Sequence, residues 1–480
     1  MNRRMIFYVI GQIINIEAAL LLLPAAVSLY YKEGCLTAFL ITAGIALAFG
    51  LTLTLTSCPG NHLIYAKDGF VIVTLAWLAM SAIGALPFMI SGEIPNYIDA
   101  FFETVSGFTT TGASVLTNVE KMSQGLLFWR SFTHWIGGMG VLVFVMAIIP
   151  NISDRSIHII RAEMPGPIVG KLVPKLKNTA KILYLIYIVM TVLEVVFLLC
   201  GGMPLYDSVV HAFGTAGTGG FGIKASSIAG YSPYLQWVIA IFMLLFGINF
   251  NIYYLVLIRR FRSVFRSTEM WSYIGLVVLS VAAITVNIYP VSQSFSEALR
   301  LSAFQVSSVI TTTGYATADF NLWPEMSKGI LLFLMFIGGC AGSTAGGLKV
   351  SRVVILLKMI RRELNRMLHP RSVSVVKFEG KQVDEATLNS VSIYFVLYII
   401  CFCAVFFILC FEPFDFATNF SATAACFNNV GPGFGAVGPA ASYQGYSALS
   451  KTVLSIAMLL GRLEIFPLLL AFSPSTWAKK

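Results

Sequence analysis

Ten stretches of the chain stay apolar for close to the ~20 residues needed to cross a bilayer. They lie at about 5–30, 36–56, 70–90, 126–149, 182–200, 235–258, 271–290, 329–347, 388–411 and 450–472. In hydrocarbon every backbone N–H and C=O must be satisfied by the protein itself, and a helix does this within one segment. The expected fold is therefore an all-α polytopic membrane protein. Composition agrees, since 57% of the 480 residues are hydrophobic and 11% charged, against about 25% charged in a soluble domain. Such a chain has too few polar groups to coat a soluble globule, and it is too apolar for disorder. The first stretch follows Met1-Asn2-Arg3-Arg4 and reaches about Tyr30. That exceeds the roughly 7–15 apolar residues of a cleaved signal peptide, so it reads as a retained span.

A formal net charge of +10 invites a nucleic-acid reading, but placement decides otherwise. With the N-terminus in the cytoplasm, 24 of the 32 Lys and Arg residues fall in inner loops or at the inner termini. The exceptions are Lys32, Lys121, Arg130, Lys224, Arg300, Lys328, Lys451 and Arg462. This is the positive-inside asymmetry of a membrane protein, and no nucleic-acid partner is expected. Both termini are expected in the cytoplasm. The eight cysteines contain no CxxC pair, so neither a zinc site nor a disulfide framework is signalled. In apolar runs they read as small buried hydrophobes.

Between spans three and four, five and six, seven and eight, and nine and ten lie shorter apolar segments at about 97–109, 205–216, 296–311 and 415–428. Segments of roughly 10–14 residues are too short to cross and suit re-entrant half-spans. Each runs into a glycine turn: ETVSGFTTTGASVL from Glu103, HAFGTAGTGGFGIK from His211, AFQVSSVITTTGYATADF from Ala303 and SATAACFNNVGPGFGAVG from Ser421. Aligning Gly112, Gly219, Gly314 and Gly431 gives spacings of 107, 95 and 117 residues. The chain thus divides into an N-terminal two-helix segment (1–66) and four pore repeats at 67–165, 166–266, 267–381 and 382–480. Each repeat is a span, a half-span, a turn and a second span.

Irregular backbone at membrane depth is tolerated only where it is buried or lines a watery path. Four such turns can converge on one axis, which is the geometry of a pore. Glycine reaches positive φ and leaves carbonyl oxygens unobstructed, and rings of carbonyls can replace the hydration shell of a monovalent cation. Half-helices whose C-termini face the axis add about half an elementary negative charge each. The candidate potassium-binding residues are Thr110, Thr111, Gly112, Thr218, Gly219, Thr312, Thr313, Gly314, Asn429, Val430 and Gly431. The threonine hydroxyls either line the path or bond backbone carbonyls behind it.

These turns, with RSFTHWIGGMG (130–140), FIGGCAGSTAGGLKVSR (336–352) and GRLEIFP (461–467), resemble the Trk/Ktr/HKT superfamily of potassium transporters over essentially the whole chain. The extra N-terminal pair of spans makes it most similar to the bacterial TrkH/TrkG branch rather than KtrB. The resemblance implies potassium uptake across the bacterial inner membrane, with K+ bound at one key glycine per turn. It also implies a homodimer of pore subunits and a cytoplasmic nucleotide-binding subunit of TrkA type. Only TTTGY echoes the TVGYG of potassium channels, so weaker discrimination among potassium, rubidium and sodium is expected.

Gly338, Gly339, Gly342, Gly346 and Gly347 fall within ten residues and interrupt the eighth span. Each costs about 1 kcal/mol in a helix interior relative to alanine, so an unwound loop is expected there. It reads as a gate, which the resemblance also implies, or as a tight helix–helix contact through small residues. Lys349 belongs to that gate or anchors the span at the cytoplasmic surface. Arg462 lies mid-span, where charge is costly unless it faces a cavity or a partner. The resemblance places it just below the filter, and an ion pair with another span is the other reading. Glu17 and Glu194 read as polar contacts between helices, and His134 and His211 as polar contacts near the outer ends of spans. The basic inner loops serve as docking surfaces or only as topology signals. No catalytic constellation or phosphate-cradling motif is present, so an enzyme is not expected. The rival transport reading is a proton- or sodium-coupled potassium symporter with alternating access.

Overall fold

The computed structural model describes residues 1–59, 65–140, 176–372 and 374–477. Among these, six helices are long and apolar enough to cross a membrane, and two bent helix pairs bring the number to eight. The inner end of the fourth span, the basic residues at 155–175 and the terminal Lys479 and Lys480 lie outside the described residues.

An N-terminal pair, Arg3–Tyr30 and Leu36–Thr56, precedes the repeats. The four half-spans form as short helices, Tyr97–Phe108, Leu205–Gly217, Phe295–Ile310 and Phe416–Phe427. Their starts follow local chemistry. The Asn96 side chain accepts the Ile98 amide at 2.9 Å and Ser294 accepts that of Glu297 at 3.2 Å, filling donors a helix start leaves open. Pro204 and Asp415 precede the other two. The C-terminal halves of all four are largely buried, whereas the long first helices of the second, third and fourth repeats present apolar side chains outward. Phe197, Leu279 and Phe407 are examples, all exposed and suited to lipid.

In the second helices of the second and fourth repeats the sequence reading and the structure part. The sixth stretch is split into Pro233–Phe246 and Phe250–Leu257, bent by 89°, and the tenth into Ala448–Arg462 and Phe466–Phe472, bent by 119°. The eighth ends at Ile337 and a new helix starts at Val350, the interruption its glycine run leads one to expect. Asn249 accounts for the first break, its side chain accepting the Asn251 amide at 2.9 Å and starting a fresh helix. In the tenth, Glu464 and Ile465 take left-handed φ of 59° and 62°. Glu464 is held there by Arg352 through two contacts of 2.9 and 2.6 Å.

Strand structure among the described residues is a hairpin of two short strands, Lys377–Phe378 and Lys381–Gln382. Next to it Asp384 caps the fourth repeat's first helix. Hydrogen bonds from the Thr387 hydroxyl and amide hold its carboxyl below the usual aspartate range.

Candidate functional site

Each short helix ends in the same hydrogen-bond pattern. The amides of Thr111, Gly219, Thr313 and Val430 reach back five residues to the carbonyls of Ser106, Gly214, Ser308 and Ala425 at 2.8–2.9 Å. The residue before each, Thr110, Thr218, Thr312 and Asn429, is left-handed with φ of 55–57°. This is the helix-terminating position that glycine usually fills. Threonine there is a real outlier, because a branched Cβ is crowded at positive φ. Three strained threonines at equivalent places point to a constraint stronger than local preference.

The next glycine in each turn is Gly112, Gly220, Gly314 and Gly431, with φ of 80°, 74°, 88° and 94°. A Cβ on Gly112 would strike the carbonyl oxygen of Gly219, and one on Gly220 that of Thr313. One on Gly314 would strike that of Val430, and one on Gly431 that of Thr111. Each turn therefore abuts the next, and the fourth abuts the first. The Asn429 side chain crosses that last junction, donating to Thr111 Oγ1 at 2.9 Å and to the Met458 carbonyl at 2.9 Å. The four turns close into a ring. The C-termini of four helices aim at it, and their dipoles favour a cation. Outside lies a cavity of about 260 Å³ lined by Gly112, Gly220, Gly314 and Gly431, with Arg130 and Lys224 on its wall. Arg130 is tied to Glu103 at 2.7 Å, both side chains buried.

Beneath the ring, residues 338–349 leave the helix as a loop with a hydrogen-bonded neck. The amides of Leu348, Lys349 and Val350 donate to the carbonyls of Phe336, Ile337 and Gly339 at 2.8–3.1 Å. The loop is fixed at several points. Cys340 donates to the Gly247 carbonyl and Phe250 to that of Gly342, both at 3.0 Å. The Ala341 amide donates to Glu269 Oε1 at 2.7 Å and that of Gly346 to Thr312 Oγ1 at 2.6 Å. Arg462 closes the arrangement, donating to the Thr344 carbonyl at 2.7 Å and to the Gly137 and Gly138 carbonyls at 2.6 Å. What remains is a cavity of about 40 Å³ bordered by Gly138, Gly342, Gly346, Lys349, Gly461 and Arg462 among others. A space of that volume holds about one water.

The architecture has close counterparts. The family described as TrkH, cation transport protein, matches residues 36–479. The chain belongs to the TrkH family. It is 36% identical to the Trk system potassium uptake protein TrkH of Salmonella typhimurium, over 99% of this chain and all of that protein. The Trk system potassium uptake protein TrkG of Escherichia coli is also 36% identical, over 99% of this chain and 98% of its own. The crystal structure of the potassium transporter TrkH from Vibrio parahaemolyticus matches with a TM-score of 0.89 at 32% identity, covering all of both chains.

In this TrkH-family chain the structure brings Thr110, Thr111, Gly112, Thr218, Gly219, Thr312, Thr313, Gly314, Asn429, Val430 and Gly431 into one ring. The alignment of the second turn needs a correction of one residue. Gly219 was expected to match Gly112, Gly314 and Gly431. Its amide bond instead places it with Thr111, Thr313 and Val430, and Gly220 carries the matching positive φ. The sequence GTGGF offers both glycines, and only the hydrogen-bond ladder tells them apart. Lys349 is no surface anchor, being buried with its Nζ donating to the Ala345 carbonyl. Thr344, Gly137, Gly138 and Asn249 were not singled out in the sequence: backbone carbonyl acceptors carry no distinctive motif, and the capping signal of Asn249 sat unread inside an apolar stretch.

The loop's glycines are not equivalent. A Cβ on Gly346 would press on the Asn428 carbonyl and lie 3.1 Å from the Asn429 Cβ, directly under the fourth turn. One on Gly342 would meet only the Asn249 side chain, at 3.1 Å, with φ of 71° to overcome. Gly342→Ala should therefore change open probability while leaving ion preference intact. Gly346→Ala should change both. Single-channel or flux recordings with potassium and sodium check this, and altered preference in Gly342→Ala would assign the loop to the ring.

Proposed function

We propose that this chain carries potassium into the cell across the bacterial inner membrane, through a single pore whose filter is the ring of four turns. The observation that carries the reading is the closed contact order of the turns, each glycine against the next turn's carbonyl. Membership of the TrkH family and relatives named as potassium uptake proteins support it. In this reading K+ is the transported ion, coordinated by carbonyls near Thr111, Gly112, Gly219, Gly220, Thr313, Gly314, Val430 and Gly431. Arg462, Lys349 and the 338–349 loop form the gate on the inner side.

The orientation puts both termini in the cytoplasm. A cytoplasmic nucleotide-binding subunit of TrkA type is the proposed regulator, docking on the basic inner segments. A homodimer is proposed as well. Supporting it, the helix Val350–Leu368 leaves Leu357, Ile360, Leu364 and Leu368 exposed along one side, a stripe suited to a second copy.

Potassium and sodium flux into proteoliposomes holding the purified chain alone tests the reading. Potassium should move down its own gradient with no sodium or proton gradient applied, and faster than sodium. Flux that appears only with an imposed sodium or proton gradient would overturn the pore in favour of a coupled symporter.

A further inference from the structure

The four turns are braced from behind in different ways. In the first, Thr109 Oγ1 donates to the Val105 carbonyl at 2.6 Å and lies 2.8 Å from Thr111 Oγ1. The third repeats this, Thr311 Oγ1 donating to Ser307 at 2.6 Å and lying 2.8 Å from Thr313 Oγ1. In the fourth, Asn428 donates to the Ala424 carbonyl at 2.9 Å and accepts the Tyr398 hydroxyl at 2.7 Å. Each brace ties a turn to the short helix before it. The second turn has glycine at both equivalent places, Gly217 and Gly219, and so has no side chain with which to do this.

His134, on the second helix of the first repeat, occupies that space. Its ring lies where a Cβ on Gly219 would be, and its backbone carbonyl where one on Gly217 would be. The ring packs on Phe221 of the same turn, with centroids 4.2 Å apart. Nδ1 lies 2.7 Å from the Gly107 carbonyl. Since a carbonyl only accepts, Nδ1 carries the proton there. The same Gly107 carbonyl also accepts the amide of Thr110, the left-handed residue of the first turn. Nε2 is buried with no hydrogen-bond partner among the described residues. A leucine or phenylalanine would fill the space without burying that nitrogen, so a pure packing role does not account for the imidazole.

We infer that His134 is the brace of the second turn, a positioning residue that replaces the missing threonine pair and couples the second turn to the first. Gly219 is glycine because the imidazole stands in its side-chain space, whereas Gly220 is glycine for its φ and the Thr313 carbonyl. The inference rests on the reading of the turns as the filter.

The test is a swap, measured as the potassium-to-sodium permeability ratio per folded molecule. His134→Ala should lower the ratio about tenfold, equivalent to about 1.4 kcal/mol. Gly219→Thr alone should abolish selective flux, because the new side chain collides with the ring. The two together make the second turn read Thr-Thr-Gly, like the first and third, and should recover most of the ratio. Such non-additivity is what direct contact produces. An unchanged ratio in His134→Ala overturns the inference, and so does a pair no better than Gly219→Thr alone. If His134→Ala does not fold, recovery of a folded, selective protein by the pair sustains the inference, and failure to recover overturns it. Gly314→Ala, on the third turn, whose nearest contacts do not include His134, separates the two readings. If it leaves the ratio unchanged, the filter reading itself falls. If it lowers the ratio while His134→Ala does not, only the brace falls.

Discussion

Arg462→Ala should raise unstimulated potassium flux by some tens of fold with little change in ion preference. A guanidinium stays protonated at every working pH, and this one borders the small cavity under the ring. At an effective dielectric near 20, two unit charges about 8 Å apart interact by about 2 kcal/mol, and about 1.4 kcal/mol is a tenfold change in rate. The side chain is also a mechanical tie. It joins the Thr344 carbonyl in the loop to the Gly137 and Gly138 carbonyls of the first repeat, so alanine releases the loop as well as removing the charge. Arg462→Lys separates these effects, since lysine keeps the charge but lacks the planar fork that reaches several carbonyls at once. Flux near the parent value in Arg462→Lys would assign the block to charge, and flux near that of alanine would assign it to the tie. A fall in flux per folded molecule in Arg462→Ala would sink the gating role.

That arginine shows how far a sequence carries such a reading. Its position and cost in a span make it a functional candidate, yet its acceptors are backbone carbonyls on two distant segments, which no residue pattern announces. The short helices were legible almost to the residue: 97–109 was expected and Tyr97–Phe108 found, 205–216 expected and Leu205–Gly217 found. Their limits are set locally, by a cap at one end and by hydroxyl or glycine residues at the other. The breaks in the sixth and tenth stretches were not foreseen. The first lies at GINFN, where a capping asparagine was available as a signal. The second lies at Leu463-Glu464-Ile465, with no helix breaker among the three. There a bidentate pair with Arg352, 112 residues away, holds the chain in its turn, and tertiary contact overrides propensity. The misaligned second turn has the same origin. Two adjacent glycines are interchangeable in a string, but one faces an imidazole and the other a carbonyl.

Gly220→Ser should reduce the potassium-to-sodium ratio toward unity while the protein remains in the membrane. Two costs fall on one residue. A φ of 74° places an L side chain in the left-handed region, at roughly 1–2 kcal/mol. The new Cβ would also strike the Thr313 carbonyl oxygen and lie 2.9 Å from its carbon and 3.1 Å from that of Gly314. Those are main-chain atoms of the next turn, so relief comes only by pushing the third turn aside, and in the proposed filter the oxygen displaced is one offered to an ion. A carbonyl ring discriminates between cations through the number and placement of its oxygens, so displacing one relaxes discrimination before it stops conduction. The fold should survive, because the strain sits in a turn of four residues and leaves the helix contacts behind it unchanged. Reversal potentials in mixed potassium and sodium give the ratio directly, and an unaltered ratio in folded Gly220→Ser would remove this glycine, and with it the corrected alignment of the second turn, from the filter.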